Sequence, residues 1–402
     1  MFMLPKIAIV VSHPIQHFCP QYISYSKSNQ WEIKVFFASS LGYKEYDSPG
    51  FGEKIKWGNL GLDKFPHEIL NNCKPIMPSR NLDAFELDDR LDCFNPDVIV
   101  VYGYWQKFQR RAVRFAKNNG KKIFFISDSE MRHDRSLLIN NLKKLYLNKY
   151  FSGIDAFLSV GDANEEYYTY YGVTRDKFIR TPFPIEIDRY KDCYINREIY
   201  RKIIRDKFDI DDNYVCCSVV GKLLDYKCQL DIIKAFNSLN DANFKLVLLV
   251  IGTGSMLNQL KSAIQLDKHR VEFVGFIQPD ELPYYYAATD IYIHPSKRDA
   301  HSLSISEAIY MGCPVIVSDK CGSYGDTDDV QLNRNGFVYE CGNIAQLKSY
   351  IQKLANDIDL RTKFGTVSHK IAEESQEKAH SLGIKKALLE NNLLIENCSN
   401  KH

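Results

Sequence analysis

The chain has 402 residues, 45% of them hydrophobic and 25% charged, and a net charge of +2 from 52 basic and 50 acidic side chains. That length exceeds one ordinary core and suits two domains of similar size, each with the composition of a globular protein. The charge balance lacks the basic excess of a nucleic-acid partner, and no apolar segment has the length of a membrane span.

The opening MFMLPKIAIVVSHP reads as a first, buried parallel strand. Its apolar run is too short for a secretory signal and ends at a His-Pro turn. The 11 cysteines are odd in number, irregular in spacing and without a CxxC pair. They read as reduced thiols in a cytoplasmic protein, with no zinc-ligand spacing.

Further along, short β-branched runs alternate with amphipathic stretches. Strands are expected at 6–11, 32–38, 97–103, 122–127 and 156–161, with helices at 16–28, 83–94, 106–119, 136–150 and 162–171. The segment 40–80 lacks a period and reads as loops with a short strand or helix. The scheme restarts with strands at 214–221, 244–252, 271–275, 290–295, 314–319 and 336–340, and helices at 225–238, 254–267, 279–287, 303–312 and 343–356. From 357 onward the tail reads as about three helices. Apolar strands flanked by helices imply parallel sheets covered on both faces. The fold class is therefore α/β, with two Rossmann-like parallel-sheet domains. The boundaries are 1–190, 191–380, and a C-terminal helix over 381–402 that packs back on the first domain. Ligands of such sheets bind at the strand C-termini, so a cleft between the domains is the expected site.

Several stretches carry candidate chemistry. In VVGKLLDYKCQLDIIKAF, Gly221 ends a strand, and Lys222 and Lys227 follow at the start of a helix, a combination that suits a diphosphate. Two solvated lysines would explain the pattern equally well. Gly252 and Gly254 in IGTGSM form a G-x-G turn, a weak signal alone. Phe276 and Ile277 follow a strand end, where they either read a nucleobase edge or pack in the core. In RDAHSLSISEAIYMGCPVIVSD, Ser304 and Glu307 match a capping box. The competing account has Asp299 and Glu307 gripping sugar hydroxyls while N–H groups of Leu303 and Ser304 bind phosphate. The acidic run Asp326-Thr327-Asp328-Asp329 reads as a solvated loop.

Taken in order over roughly 214–345, these elements resemble the donor domain of retaining family 4 glycosyltransferases with the GT-B fold. They are G-K-L followed by Lys227, V-L-L-V-I-G-T-G, V-x-F-x-G-F, A-x-x-A-T-D-I-Y-I-H-P-S, and D-x7-S-E-A-x-x-M-G-C-P-V-I-V-S-D. The first half matches less well, through VVSHPIQHFCPQY. The resemblance implies that the two sheets face each other across the cleft. It implies that Lys222 and Lys227 contact a donor diphosphate, Lys222 standing where the family usually has Arg. It implies that Glu307 holds ribose hydroxyls, that Asp299, at a position that is most often Glu, contacts the transferred sugar, and that Phe276 and Ile277 flank the base. Gly221 and Gly252 line the nucleotide, and no metal or other cofactor is expected. Asp299, Lys222, Lys227 and His133 are the catalytic candidates. His301 stands in a usually glycine-containing run, where it either reaches the sugar or faces outward. On the acceptor side stand His13, Gln16, His17 and Tyr104, with Trp105, Asp128, Glu130 and Arg132 also at strand ends.

The implied activity is transfer of a sugar from a UDP- or GDP-linked donor to a glycan or lipid-linked glycan, in building a bacterial surface polysaccharide such as capsule or lipopolysaccharide. The Lys-rich helix at 140–150 allows peripheral contact with the inner membrane, or is an ordinary solvated face. A nucleotide-sugar epimerase and an inactive GT-B scaffold are the alternatives.

Overall fold

The structure is a computed structural model that describes residues 4–44, 46–47, 54–55, 60–132, 137–239 and 243–395, with the side chains of 46–47, 54–55 and 137–142 left aside. His133 lies outside the described residues.

The first sheet contains β1 (Lys6–Val11), β2 (Glu32–Phe37), β5 (His67–Ile69), β6 (Val98–Tyr102), β7 (Lys122–Ser127), β8 (Ala156–Ser159) and β9 (Phe178–Arg180), and a two-residue antiparallel pair, β3 (Tyr46–Asp47) with β4 (Lys54–Ile55), stands apart. The order is β5-β2-β1-β6-β7-β8-β9, all parallel. Side chains alternate along each strand, so Ile7, Ile9 and Val11 enter one buried cluster while Ala8 and Val10 enter another on the opposite face. This two-sided burial explains why these strands are apolar throughout. Two short strands, β5 and β9, add to the five expected ones. Each spans three residues, too few for a period to emerge.

The second sheet orders β12-β11-β10-β13-β14-β15, with β10 (Tyr214–Val220), β11 (Lys245–Ile251), β12 (Arg270–Gly275), β13 (Ile291–His294), β14 (Val315–Ser318) and β15 (Gly336–Tyr339). It too is parallel. Two facing Rossmann-like sheets of this kind make the GT-B fold. Helices Ile187–Ile195 and Arg197–Lys207 connect the sheets. The tail holds three helical segments, as expected, but they run on without a break: helix Ile358–Glu377 passes through a π turn, Lys378–Leu382, into helix Gly383–Glu390. It crosses from the second domain to the first. Phe364 packs in the core of the second, whereas Ile384, Ala387 and Leu388 join the core around β1. Gln21 Nε2 and Ser24 Oγ donate to the π-turn carbonyls of Ala379 (2.7 Å) and His380 (2.8 Å). Among the described residues no helix is long and apolar enough to cross a membrane. The ten described cysteines are free thiols, six of them buried and Cys93 exposed.

The loops after β10 and β11 interlock. Gly252 has φ +133°, and a Cβ there would lie 2.0 Å from the Gly221 carbonyl oxygen. Leu223 N–H donates to Thr253 O at 2.9 Å, and Met256 N–H to Leu223 O at 3.0 Å. The G-x-G turn therefore serves the approach of one backbone to another. Gly342 (φ +86°) has open space where its Cβ would stand. Gly342→Ala should cost about 1–2 kcal/mol, the conformational penalty alone, whereas Gly252→Ala adds a steric clash and should cost more. Paired denaturation curves check the order; equal losses would mean that the loops separate at little cost.

Candidate functional site

The C-terminal edge of the second sheet brings together residues that lie far apart in sequence. The expected helix 225–238 is divided. A 3-10 turn, Asp225–Lys227, is followed by Cys228 in the left-handed region (φ +54°), and the helix proper is Gln229–Asn237. The cause lies in the loop after β13: Lys297 N–H (2.9 Å) and Ser296 Oγ (3.2 Å) both donate to the Tyr226 carbonyl, which is thereby withheld from the helix. The break sets Lys227 Nζ 2.5 Å from Asp299 Oδ2. The same oxygen meets His294 Nε2 at 2.9 Å. His294 ends β13 and is buried. Burial alone would raise the Asp299 pKa, but the His294 hydrogen bond and the charges of His294 and Lys227 outweigh it and hold the carboxyl well below its usual range. Lys222 is displaced downward, by burial and then by Lys227.

Glu307 corrects the capping-box reading. Its helix is Leu303–Tyr310 with Ser302 at the N-cap, so Ser304 lies inside the first turn and Glu307 beyond it. Glu307 Oε2 instead accepts from Tyr286 OH at 3.0 Å, and Tyr190 also stands beside it. Enclosure raises the Glu307 pKa to about 7, against the opposing pull of the Tyr190 and Tyr286 hydroxyls and of Arg189. Leu303 and Ser304 occupy the first two helical positions, where N–H groups have no acceptor within the helix. Ser304 Oγ accepts from Tyr292 OH at 2.7 Å. Phe276 is 57% exposed at the end of β12, while Ile277 packs against the core. Gly221 has φ +146° and no atom near its would-be Cβ, leaving the backbone open at the end of β10.

Facing this edge is a cavity of about 370 Å³ between the domains, walled by the loops after β1, β6 and β7 and by Phe183, His301 and Leu303. His17 lines it. His13 shares the β1 loop, with Nδ1 2.8 Å from Ser12 Oγ, and burial lowers both histidines to about 4, His17 with help from His13. Gln16 is half-buried on the same loop. Tyr104 lies elsewhere: its ring packs with Phe125, Tyr150 and Phe151, and its hydroxyl meets Tyr167 OH at 3.0 Å. Tyr102 and Gly103, two positions earlier and one, are the cavity residues of that strand end. Trp105 is exposed, Glu130 is buried, and Arg132 stacks 3.6 Å from the Tyr324 ring centre. Asp128 opens onto the cavity and keeps an exposed side chain, while the protein packed around its carboxyl pushes its pKa upward.

The acidic run is solvated only in its first half, at Asp326 and Thr327. Asp328 and Asp329 are each 3% exposed. Asp328 Oδ1 and Asp329 Oδ2 stand 3.4 and 3.9 Å from His301 Nε2, and His301 is itself buried rather than facing out. Burial disfavours a charged imidazole, but the two carboxylates prevail and raise its pKa. Among the described residues this trio has metal-ligand atoms within 4.8 Å of one another. Arg180 also acts on both carboxylates.

Residues 200–370 match the family model described as Glycosyl transferases group 1, which places such a domain in the second half of the chain. The alpha-monoglucosyldiacylglycerol synthase of Streptococcus pneumoniae is 26% identical over 182 residues, 45% of this chain and 41% of that protein. The chain thus spans less than half the length of this curated relative. Among solved structures, a glycosyltransferase from Rickettsia africae superposes with a TM-score of 0.70 at 15% identity, covering 100% of both chains. Anabaena HepE in complex with UDP and glucose gives 0.65 at 15% identity over 96% of this chain and 99% of the other. These superpositions identify the GT-B fold.

Because the native pKa of Glu307 lies above its ordinary 4.5, the native state holds this proton more tightly than the unfolded chain. The associated stability is complete below pH 4.5 and is lost as pH rises through about 7. Glu307→Gln, neutral throughout, should gain on the wild type between pH 5 and 8 by up to roughly 3 kcal/mol. Melting temperatures across that range check it; a constant difference would remove Glu307 as the titrating group.

Proposed function

We propose that the protein is a glycosyltransferase that moves a sugar from a nucleotide-diphosphate donor to a hydroxyl of a glycan or lipid-linked glycan, with retention of anomeric configuration. The observation that carries this reading is the Lys227–Asp299 pair, 2.5 Å apart at the C-terminal edge of the second sheet and inside the matched region. Lys227 is a cation whose partner an incoming diphosphate can replace. Once it turns to phosphate, Asp299 is released to accept a sugar hydroxyl. Lys222 adds charge on the same side, and the N–H groups of Leu303 and Ser304 add the positive end of a helix. Glu307 suits the paired hydroxyls of ribose, because its lone pairs remain poor in charged partners. Phe276, exposed and aromatic, suits a base face.

In the transfer itself, the bond between anomeric carbon and phosphate oxygen breaks and the acceptor oxygen bonds to the same face. The acceptor proton passes to the departing phosphate oxygen, so no enzymic nucleophile is needed. Lys222, Lys227 and the helix N–H groups meet the charge that develops on the leaving group. No metal enters this scheme. Chemistry of this type uses a cytoplasmic donor pool, and bacterial surface polysaccharides supply acceptors of the proposed class.

The test is release of nucleoside diphosphate from UDP- and GDP-linked hexoses in the presence of glycan acceptors. Lys227→Ala should lower kcat/KM at least 100-fold, about 3 kcal/mol of transition-state stabilisation. Lys202→Ala, at an exposed pair with Asp206 one helical turn on, should leave it unchanged. Interconversion of the donor sugar without any acceptor would make the protein an epimerase, and no turnover with any donor would make it a scaffold.

A further inference from the structure

We propose that His301 and Asp128, contributed by opposite domains, form a clamp for hydroxyls of the transferred sugar in the interdomain cavity, with Asp328 and Asp329 as the residues that position His301. This rests on the function proposed above and adds the pair that would choose the sugar.

Four observations carry it. First, both residues line the same cavity, Asp128 from the end of β7 and His301 from the loop before helix Leu303–Tyr310. Second, the His301 side chain is 1% exposed, and its Nδ1 has no hydrogen-bond partner. Nε2 is directed at the two carboxylates, 3.4 and 3.9 Å away, so Nδ1, across the ring, is the atom left for a ligand. A buried donor without an acceptor is costly, and occupancy of the cavity by a hydroxyl oxygen would remove that cost. Third, Asp328 and Asp329 are themselves fixed. Asp328 accepts from Asp162 N–H (2.6 Å) and Asp329 N–H (2.8 Å), and Asp329 from Ser306 Oγ (2.5 Å). The imidazole is therefore held against an anchored wall, and Phe183 packs edge-on to it at 5.5 Å. Fourth, Asp128 feels the charges of both His301 and Asp299. Asp299 precedes His301 by two residues, so one loop carries both the cavity's imidazole and the partner of Lys227, where the donor's sugar would emerge. The remaining wall is mostly apolar and leaves room for the acceptor.

The chemistry is complementary. His301 donates to a hydroxyl oxygen through Nδ1–H, and an Asp128 oxygen accepts a hydroxyl hydrogen. One donor and one acceptor on opposite walls recognise two hydroxyls of a sugar ring and disfavour a deoxy analogue, which leaves one of them unpaired. Because the two come from different domains, recognition would also depend on the domains standing together.

The experiment compares affinities for UDP, GDP and ADP with those for UDP-glucose, GDP-mannose and ADP-glucose. His301→Gln retains an amide where Nε2 faced Asp328 but offers no donor at the Nδ1 position. It should weaken binding of the preferred nucleotide sugar at least tenfold and change binding of the free nucleoside diphosphate less than twofold. Asp128→Ala, exposed to the cavity and outside the core, removes the acceptor and should reproduce this selective loss without any question of folding. His301→Asn, which restores a donor near Nδ1, should recover part of it. Unchanged ratios of sugar-bearing to free nucleotide in both folded variants would overturn the clamp and leave the transferase reading standing. A wild type that binds none of these nucleotides would overturn both. One equivalent of divalent metal in the wild type, absent from His301→Gln, would also overturn the clamp, since His301 would then be a ligand.

Discussion

The cleft depends on one polar clasp between the domains. Arg180, at the end of β9, reaches Asp162 Oδ1 at 2.5 Å and Glu165 Oε1 at 2.9 Å. Asp162 in turn accepts from Thr327 N–H (2.8 Å) and Thr327 Oγ1 (2.6 Å), while its own N–H donates to Asp328 (2.6 Å). The acidic loop of the second domain is thereby fastened to the start of helix Asp162–Tyr170 in the first. Arg180 and Asp162 are largely shielded, at 16% and 19% side-chain exposure. Removing either would strand the other's charge in a poorly solvated place, which is costly even where the intact pair contributes little net stability. The helical tail that ends at Glu390 adds a second, apolar tie by burying Ile384, Ala387 and Leu388 in the first core.

With the domains so held, their contributions differ by physical type. The first lends mostly apolar cavity walls, with histidines that burial keeps neutral and one carboxyl open to the space. The second supplies charge: Lys222, Lys227, Asp299, and His301 against its two aspartates. Parallel strands make this division possible, because each sheet sends all its strand ends, and the helix starts that follow, toward the same side. Two such edges facing each other set a charged wall opposite a mostly apolar one.

Much of this was legible in the sequence where local rules decide. Strands such as Lys6–Val11 and Tyr214–Val220 are apolar without interruption, and their limits follow directly. Lys222, Lys227, Asp299 and Glu307 could be singled out because their order and spacing resemble a family pattern. What was missed depends on contacts between distant segments. Cys228 adopts a left-handed conformation because a loop seventy residues away takes the Tyr226 carbonyl, and no property of cysteine announces that. Glu307 looked like the end of a capping box, but Tyr286, from the preceding helix, takes its carboxylate. His294 ended a predicted strand, and that position was the available signal for its contact with Asp299. Asp328 and Asp329 read as solvated since adjacent acids usually are; their burial follows from the clasp and from His301. The tail read as about three helices, and three segments are present; that they join end to end through a π turn depends on packing across both domains.

The central claim is that the second sheet's edge binds a nucleotide through its diphosphate. Titration calorimetry with nucleoside diphosphates and the matching monophosphates tests it most directly. The account predicts at least tenfold tighter binding of one diphosphate than of its monophosphate, about 1.4 kcal/mol or more, and loss of that preference in Lys227→Ala. Equal affinity for the two, or a preference that survives in Lys227→Ala, would contradict it.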